Sequence, residues 1–535
     1  MNHEECLDRL RLAAIDIGSN SIRLVVAEPL PTGGYRVLDE ERESTRLYAS
    51  LTSTGRIQAD AIEDSMDAIG RFSAIARGYD TSDIRVVATS AVREAKNGDA
   101  FCQRVHDELG LDVEVITAAE EATLAFESVR GGFETADRKI AVVDIGGGST
   151  EIVLAAGGHI EAIYATHLGA VRTTEKWGAA GRLSEDRRSY MERKIDRHLE
   201  KRLGKPAFVP EVLCGTGGTF TTLASIVMAS KGISEQPISG YRITRGELRQ
   251  VIEQLALTTL EKRRKTRGLS TRRADVIVAA LIVIDRIMRH LKVNVIQAHS
   301  RGIRDGLLLR VIHQKYGQHF AATQPQATVE EFAISCGVDM RHAEHVANVS
   351  RSLFHQLAEP LGLDHSDEQI LRAAAILQNV GHLVNFAGHH KHGYHLIVNS
   401  GLPGFTHQEL LLIANVVRYH RGAHPKLRHD NFRRLDDSEQ LRVRQLASIL
   451  RIATALNRSP NRPVEEVDIV LSKDCVTVIV NDDDAELGIW AARRKADLFE
   501  DTFARQLLLA RHGTSSDPRD TCTAESTTTK GTRCG

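Results

Sequence analysis

The sequence predicts an α/β protein made of two related halves, residues 12–135 and 136–316, followed by an all-helical domain (330–462) and a small α+β domain (463–511). Three observations carry this. Residues 142–154 run from an apolar stretch into Asp144, then Gly146, Gly147, Gly148, Ser149, Thr150 and Glu151, then a second apolar stretch, which reads as two strands around a glycine turn. Residues 13–26 repeat that form around Asp16, Gly18, Ser19, Asn20, Ser21 and Arg23, 128 residues earlier (144 − 16), so each hairpin opens a segment of about domain size. Beyond residue 330 apolar side chains recur at helical spacing as far as 457, and β-prone runs follow at 467–471 and 476–480.

The hairpins also carry chemistry. Glycine lacks a Cβ, so a turn backbone approaches a ligand closely and aims successive N–H groups at it, an arrangement that suits phosphate. Carboxylates such as Asp144 and Glu151 beside it suit a hard, oxygen-liganded ion such as Mg²⁺. Two turns facing each other across a cleft would grip a linear polyanion or a nucleotide's phosphate tail from both sides.

Composition sets the bounds. A chain of 535 residues makes roughly three or four domains. Apolar residues at 42% and charged residues at 26% are ordinary for a protein with a sizeable core. No apolar run reaches about 18 residues, which excludes a membrane-spanning helix, and residues 1–11 read as a short tail without a signal peptide. The 7 cysteines are scattered without C-x-x-C spacing, which fits a reducing cytoplasm and argues against zinc. A net charge of −1 excludes a global electrostatic trap for nucleic acid, so anion attraction must be local.

In the first half, residues 35–41 read as a strand and 61–77 as a helix with Ile62, Met66, Ile69 and Phe72 on one face. Residues 84–90 read as a buried strand. Arg93 just beyond it stands where α/β sheets bind ligands, and its planar fork matches phosphate oxygens; a surface salt bridge is the plain alternative. After a short strand at 113–116, Glu120 and Glu121 enter a helix. They complement the helix dipole, or one of them orients a water. Adjacent helical side chains diverge, so only one faces the cleft.

In the second half a helix starts at the N-cap Ser184. The strand 212–216 runs into Gly217, Gly218 and Thr219, a third nest with a helix N-terminus behind it. Lys262, Arg263, Arg264, Lys265, Arg267, Arg272 and Arg273 form the strongest basic run. It reads as a solvated helix end, or as an entry path for a long polyanion. A helix at 274–288 and a strand at 293–297 precede Arg301, Arg304 and Asp305. Residues 317–329 read as a linker. Residues 486–509 read as a strand and a helix, and the Ser/Thr-rich stretch 512–535 as a disordered tail.

The helical region is rich in histidine and resembles the HD phosphohydrolase superfamily, whose metal ligands include a helix His, a His-Asp pair and a later Asp. His345 matches the first. Gln378 and Asn379 stand where the pair belongs, and Thr454 stands where the last Asp belongs. Neutral amides and a hydroxyl replace metal-bridging carboxylates poorly, so the expectation is a degenerate HD-like domain without its metal centre.

As a whole, residues 12–509 resemble the exopolyphosphatase/guanosine pentaphosphate phosphohydrolase (Ppx/GppA) family. The likeness rests on Asp-Ile-Gly-Ser-Asn-Ser at 16–21 and Asp-Ile-Gly-Gly-Gly-Ser-Thr-Glu at 144–151. It is supported by Leu168 to Arg172, by Gly217-Gly218-Thr219 and by residues 490–495. The resemblance implies an actin-like (ribonuclease H-like) fold of two halves around a cleft, with Glu121 as catalytic base and Asp144 and Glu151 as Mg²⁺ carboxylates. It makes Arg93 and Gly146, Gly147, Gly148, Ser149 and Thr150 phosphate binders, with Gly18, Ser19, Asn20, Ser21 and Arg23 on the opposite wall; Gly217, Gly218 and Thr219 join the set as the third nest. Two departures stand out: Thr117-Ala118 replaces a usual Ser-Gly before the acids, and Asp305 replaces a more usual Glu. The activity implied is release of orthophosphate from the end of inorganic polyphosphate. The alternatives are 5′-phosphate hydrolysis of guanosine pentaphosphate, or a non-catalytic phosphate or alarmone sensor. Expected partners are polyphosphate or guanosine pentaphosphate and a second copy of the chain, with no nucleic acid and no membrane, in the cytoplasm.

Overall fold

The computed structural model describes residues 10–30, 34–49, 51–130, 138–233, 237–316, 325–402, 404–458, 464, 467–481 and 485–512. Residues 1–9, 317–324 and 513–535, which hold nearly all of the expected tails and most of the expected linker, lie outside the described residues. The chain divides into two compact units, residues 1–323 and 324–535.

The first unit is built on two sheets. Strands β1 (Leu12–Ile17), β2 (Ile22–Pro29), β3 (Tyr35–Glu43), β4 (Asp83–Ala88) and β5 (Val113–Val115) form a sheet in the order β3-β2-β1-β4-β5. Strands β6 (Lys139–Ile145), β7 (Thr150–Ala156), β8 (His159–Thr166), β9 (Val212–Thr216), β10 (Arg242–Thr244) and β11 (Val295–Ala298) form the other, in the order β10-β11-β9-β6-β7-β8. Each sheet places its glycine hairpin at the centre. β1 pairs antiparallel with β2 and parallel with β4; β6 pairs antiparallel with β7 and parallel with β9. The central strands are buried on both faces, as expected when helices cover a parallel core.

The helix Ala59–Gly78 covers one face of the first sheet, with Met66, Ile69 and Phe72 in the same core as Ile15 and Val26. The apolar helix Ile277–Leu291 is buried almost all round against the second sheet. It starts three residues later than its composition indicates, because Thr271–Arg273 form a separate 3₁₀ turn.

Two helices do not respect the expected boundary between halves. Leu124 of the helix Ala118–Arg130 joins the core of the first sheet, while Ala122, Ala125, Phe126 and Val129 of the same helix pack on Val142 and Val153 of the second. The helix Ile303–Tyr316 returns from the second half to pack Leu307, Leu308 and Val311 on Leu12, Ala14 and Val25. The two helices cross where Gly306 lies against the Leu124 backbone. An amphipathic period identifies an apolar face but not the sheet that receives it.

The second unit is helical from Pro325, so residues 325–329 of the expected linker belong to the helix Pro325–Ser335. The helices Met340–Leu361, Asp367–Leu377, His407–Tyr419 and Asp437–Leu456 surround one core. Capping boxes at Thr406/Glu409 and Asp436/Glu439 start the last two. The same core takes in β12 (Val467–Leu471), β13 (Cys475–Val480) and β14 (Gln506–Arg511), a sheet in that order with β14 parallel to β13. The expected α+β end domain therefore shares the helical core instead of having its own. Residues 486–503 form two helices, Glu486–Arg493 and Asp497–Phe503, ahead of that strand, where a strand and a helix were expected. Among the described residues no helix is long and apolar enough to cross a membrane.

Candidate active site

The two hairpin turns share a construction. Gly18 N–H bonds the Ser21 carbonyl at 3.2 Å, and Gly146 N–H bonds the Ser149 carbonyl at 3.1 Å. Asp16 pairs across its strand with Arg23, and Asp144 pairs with Glu151. The turns meet tip to tip: a Cβ on Gly147 would lie 2.7 Å from the Ser19 Cβ, closer than any side chain tolerates. The amides of Ala170, Val171 and Arg172, opening the helix Ala170–Trp177, fix the second turn through the Gly146 and Gly147 carbonyls at 2.9–3.1 Å.

Between the turns lies a cavity of about 270 Å³. Its wall includes Gly18, Ser19, Asn20, Ser21 and Arg23 from the first turn, Gly146 and Gly147 from the second, and Gly217 and Gly218 from the third nest. Asp16, Asp144 and Glu121 also line it. Of the two acids opening the helix Ala118–Arg130, only Glu121 faces inward. Glu120 is turned to solvent, where it accepts from the Thr117 N–H and hydroxyl at 2.7 and 2.8 Å.

Glu121, Asp144 and Glu151 are 2%, 6% and 1% exposed, and each offers an oxygen within 4.8 Å of the others. Only part of this charge is answered. Thr216 donates to Asp144 at 2.8 Å, and Arg93 donates to Glu121 at 3.3 Å. Both Glu151 oxygens and Asp16 Oδ1 are buried without a hydrogen-bond partner. Ionising such a group away from water is expensive. Burial accordingly pushes the Glu121 carboxyl up to about 8 against the pull of Arg93, and Asp144 up to about 6. Burial and the neighbouring Glu121 push Glu151 well above its usual range, and burial raises Asp16. A divalent cation would answer this cluster: the donors are hard carboxylate oxygens, several of them orphaned, and they fit Mg²⁺.

The same cavity is also lined by arginines. Arg23, Arg42, Arg273, Arg301 and Arg304 line it. Arg273 reaches in over Gly218, where a Cβ would collide with its guanidinium at 2.0 Å, and donates to Thr219 Oγ1 at 3.4 Å. Burial together with Arg23 and Arg42 pulls Arg273 down to about 9; burial together with Arg23 pulls Arg42 down to about 10. Two Arg42 nitrogens are buried without a partner. Crowded, underpaired guanidiniums make a strong local site for a polyanion.

Several sequence expectations change at this point. Gly148, Ser149, Thr150, Glu151 and Thr219 are not on the cavity wall. Gly148 packs on Tyr48 and Ser90, the Thr150 hydroxyl donates inward to the Leu168 carbonyl at 3.0 Å, and Thr219 is covered by Arg273. Arg93 lies behind Glu121, held by the Ile116 carbonyl at 2.6 Å. The basic run is not wholly solvated: Arg263 is fully buried and donates to the carbonyls of Ala180, Gly181, Leu255 and Ala274 at 2.8–3.2 Å, and Arg273 lines the cavity. Asp16, Arg42, Arg301 and Arg304 were missed as cavity residues, and Arg273 was named only as a member of the basic run. Only the position of Asp16, mirroring Asp144, signalled one of them.

The description of the Ppx/GppA phosphatase family matches residues 25–315, and that of Ppx/GppA phosphatase domain III matches residues 325–487. The chain belongs to the Ppx/GppA phosphatase family. Solved structures agree. A Ppx/GppA family member from Aquifex aeolicus is 29% identical, with a TM-score of 0.50, over 57% of this chain and 98% of its own. An exopolyphosphatase from Cytophaga hutchinsonii ATCC 33406 is 25% identical, with a TM-score of 0.54, over 57% of this chain and 99% of its own. The Ppx/GppA assignment makes the protein a phosphatase-type hydrolase with the α/β, actin-like architecture expected from its paired hairpins. Ppx/GppA phosphatases are generally dependent on divalent metal, in keeping with the buried carboxylates.

Proposed function

We propose that the protein is an exopolyphosphatase that releases orthophosphate from the end of inorganic polyphosphate. The observation that carries this reading is the cavity itself, with two like turns tip to tip and with carboxylates and five arginines on its wall. A chain of phosphates satisfies such a wall along its length. No aromatic side chain lines the cavity among the described residues, so a guanine finds no ring to stack on. This favours polyphosphate over guanosine pentaphosphate.

On this reading the turn amides and Arg23 and Arg273 hold the terminal phosphoryl oxygens. Glu121 orients a water and takes its proton as the water oxygen bonds to phosphorus and the bridging P–O bond breaks. Arg93 holds the Glu121 carboxylate from behind. Asp144 and Glu151 would hold Mg²⁺, which supplies charge neutralisation for the phosphoryl oxygens. Most of the rate gain in such chemistry comes from positioning and charge stabilisation.

The helices of the second unit are, in this proposal, a degenerate HD-like domain. Thr454 Oγ1 donates to Gln378 Oε1 at 2.7 Å, so two of the replaced ligand positions do meet. The protein acts in the cytoplasm as a homodimer on the same family reading. The test is paired: phosphate release from long polyphosphate and from guanosine pentaphosphate, with and without Mg²⁺. Faster release from the guanine nucleotide would reverse the substrate assignment, and tight binding of either without release would make the protein a sensor.

A further inference from the structure

We propose that Arg172 is a positioning residue for Glu121, acting across the seam between the two sheets through Glu94 and Arg93; this rests on the reading of Glu121 as the water-activating group. Arg172 opens the helix Ala170–Trp177 in the second half, yet its side chain reaches into the first. Its Nε donates to Tyr48 Oη at 2.5 Å, its Nη2 donates to Glu94, and its guanidinium lies 5.0 Å over the Tyr48 ring. Glu94 also accepts from Tyr48 Oη at 3.4 Å. The next residue back, Arg93, donates to the Ile116 carbonyl at 2.6 Å and, through both Nη atoms, to Glu121 at 3.3 Å. Charges therefore alternate from Arg172 to Glu94 to Arg93 to Glu121.

The weak point in this path is the helix Ser90–Glu94, which carries both middle residues. It has five residues and no side-chain N-cap. So short a helix does not hold itself and depends on tertiary contacts. Its middle is held by Ala91 and Val92, buried in the core of the first sheet; at one end Ser90 bonds Ser19 Oγ at 2.8 Å, and at the other Glu94 takes Arg172, with His167 at 3.7 Å. The Arg172 side chain is only 14% exposed, so its pair with Glu94 is better shielded than ordinary surface ion pairs, which contribute little. The same Tyr48 ring packs under Gly148 of the catalytic turn, where a Cβ would sit 2.8 Å from it. Arg172 is not on the cavity wall, so it reaches the chemistry only through these neighbours. Without it, the Glu94 end of the helix keeps only the longer Tyr48 and His167 contacts, and the long Arg93–Glu121 bonds lose their alignment.

The test uses the full chain with Mg²⁺ and long polyphosphate, comparing Arg172→Ala, Arg172→Lys, Glu94→Gln, the Glu94→Gln/Arg172→Ala double variant and Glu121→Gln. The expected result for Arg172→Ala is a fall in kcat of about tenfold or more with KM within about threefold, since small misplacements of a catalytic group are costly. The double variant should be no slower than the slower single one, and Arg172→Lys, which keeps the charge but not the fork, should recover only part of the loss. A parent-like kcat in Arg172→Ala, or single effects that multiply in the double variant, would overturn the proposal. If Arg172→Ala does not fold, parent-like rates in both Arg172→Lys and Glu94→Gln overturn it instead. A slow Glu121→Gln beside a normal Arg172→Ala sinks the positioning role alone; a parent-like Glu121→Gln sinks the reading beneath it and the proposal with it.

Discussion

Asp16 and Asp144 occupy the same place in two copies of one hairpin, each two residues before a glycine whose amide closes the turn. Only one of them gained an acid opposite. Asp144 faces Glu151 across its strand pair, whereas Asp16 faces Arg23. The repeated backbone thus supplies amides from both turns, while that one difference puts a guanidinium opposite Asp16 and a second carboxylate opposite Asp144.

Glu121→Gln should lower kcat on polyphosphate by about 10² to 10⁴-fold, the range for loss of a positioned acid or base, with KM changed by less than about threefold. Steady-state phosphate release measures both. An unchanged kcat would remove Glu121 from the chemistry.

Metal-free protein should lose thermal stability as pH rises. The Asp144 carboxyl titrates at about 6 and Glu121 at about 8 in the folded chain, both above their ordinary values of 3.8 and 4.5. The folded state therefore holds more protons than the unfolded one between about pH 4 and 8, and ionising the cluster is paid in stability across that window. Mg²⁺ should raise Tm more at pH 8 than at pH 6. Thermal melts with chelator and with Mg²⁺ at the two pH values check the sign; a larger gain at pH 6 would contradict it.

Replacing Arg263 with Ala should destabilise the protein by about 2–4 kcal/mol, because several buried carbonyls lose a charged donor. Whatever activity remains should fall equally on short and long polyphosphate. Denaturant melts and rates across chain lengths test this; a loss confined to long chains would favour the entry-path reading.

Gly218→Ala should act on substrate more than on folding. Its Cβ would meet the Arg273 guanidinium at 2.0 Å, and Arg273 is the end of a long side chain that can swing aside. The expected outcome is a kcat/KM lowered about tenfold or more, with a change in Tm of only a few degrees. Parent-like kcat/KM would show that Arg273 is not needed where it stands.

The parts of this site legible in the sequence were those written locally. Both turns, Asp144, Glu151 and the acid pair holding Glu121 each sit in a short stretch whose residue types declare a strand, a turn or a helix start. Within the glycine hairpin the reading ran one step too far, because alternation along a strand sends Thr150 inward to Leu168 while Glu151 meets the acids. Of the arginines on the wall, Arg23 alone was read there from the sequence. Arg42, Arg273 and the pair Arg301 and Arg304 come from three separate stretches, and nothing in their neighbours says that they converge. Arg263 shows the converse: a basic run looks solvated until the carbonyls that wait for one of its members are known. The crossing of the two boundary helices was hidden for the same reason, since Leu124 and Ala125 are equally apolar yet face different sheets.

That crossing has a mechanical corollary. Glu121 stands a single helical turn from Leu124, on a helix whose other apolar side chains pack on Val142 and Val153. The place of that carboxyl is therefore set by both sheets at once.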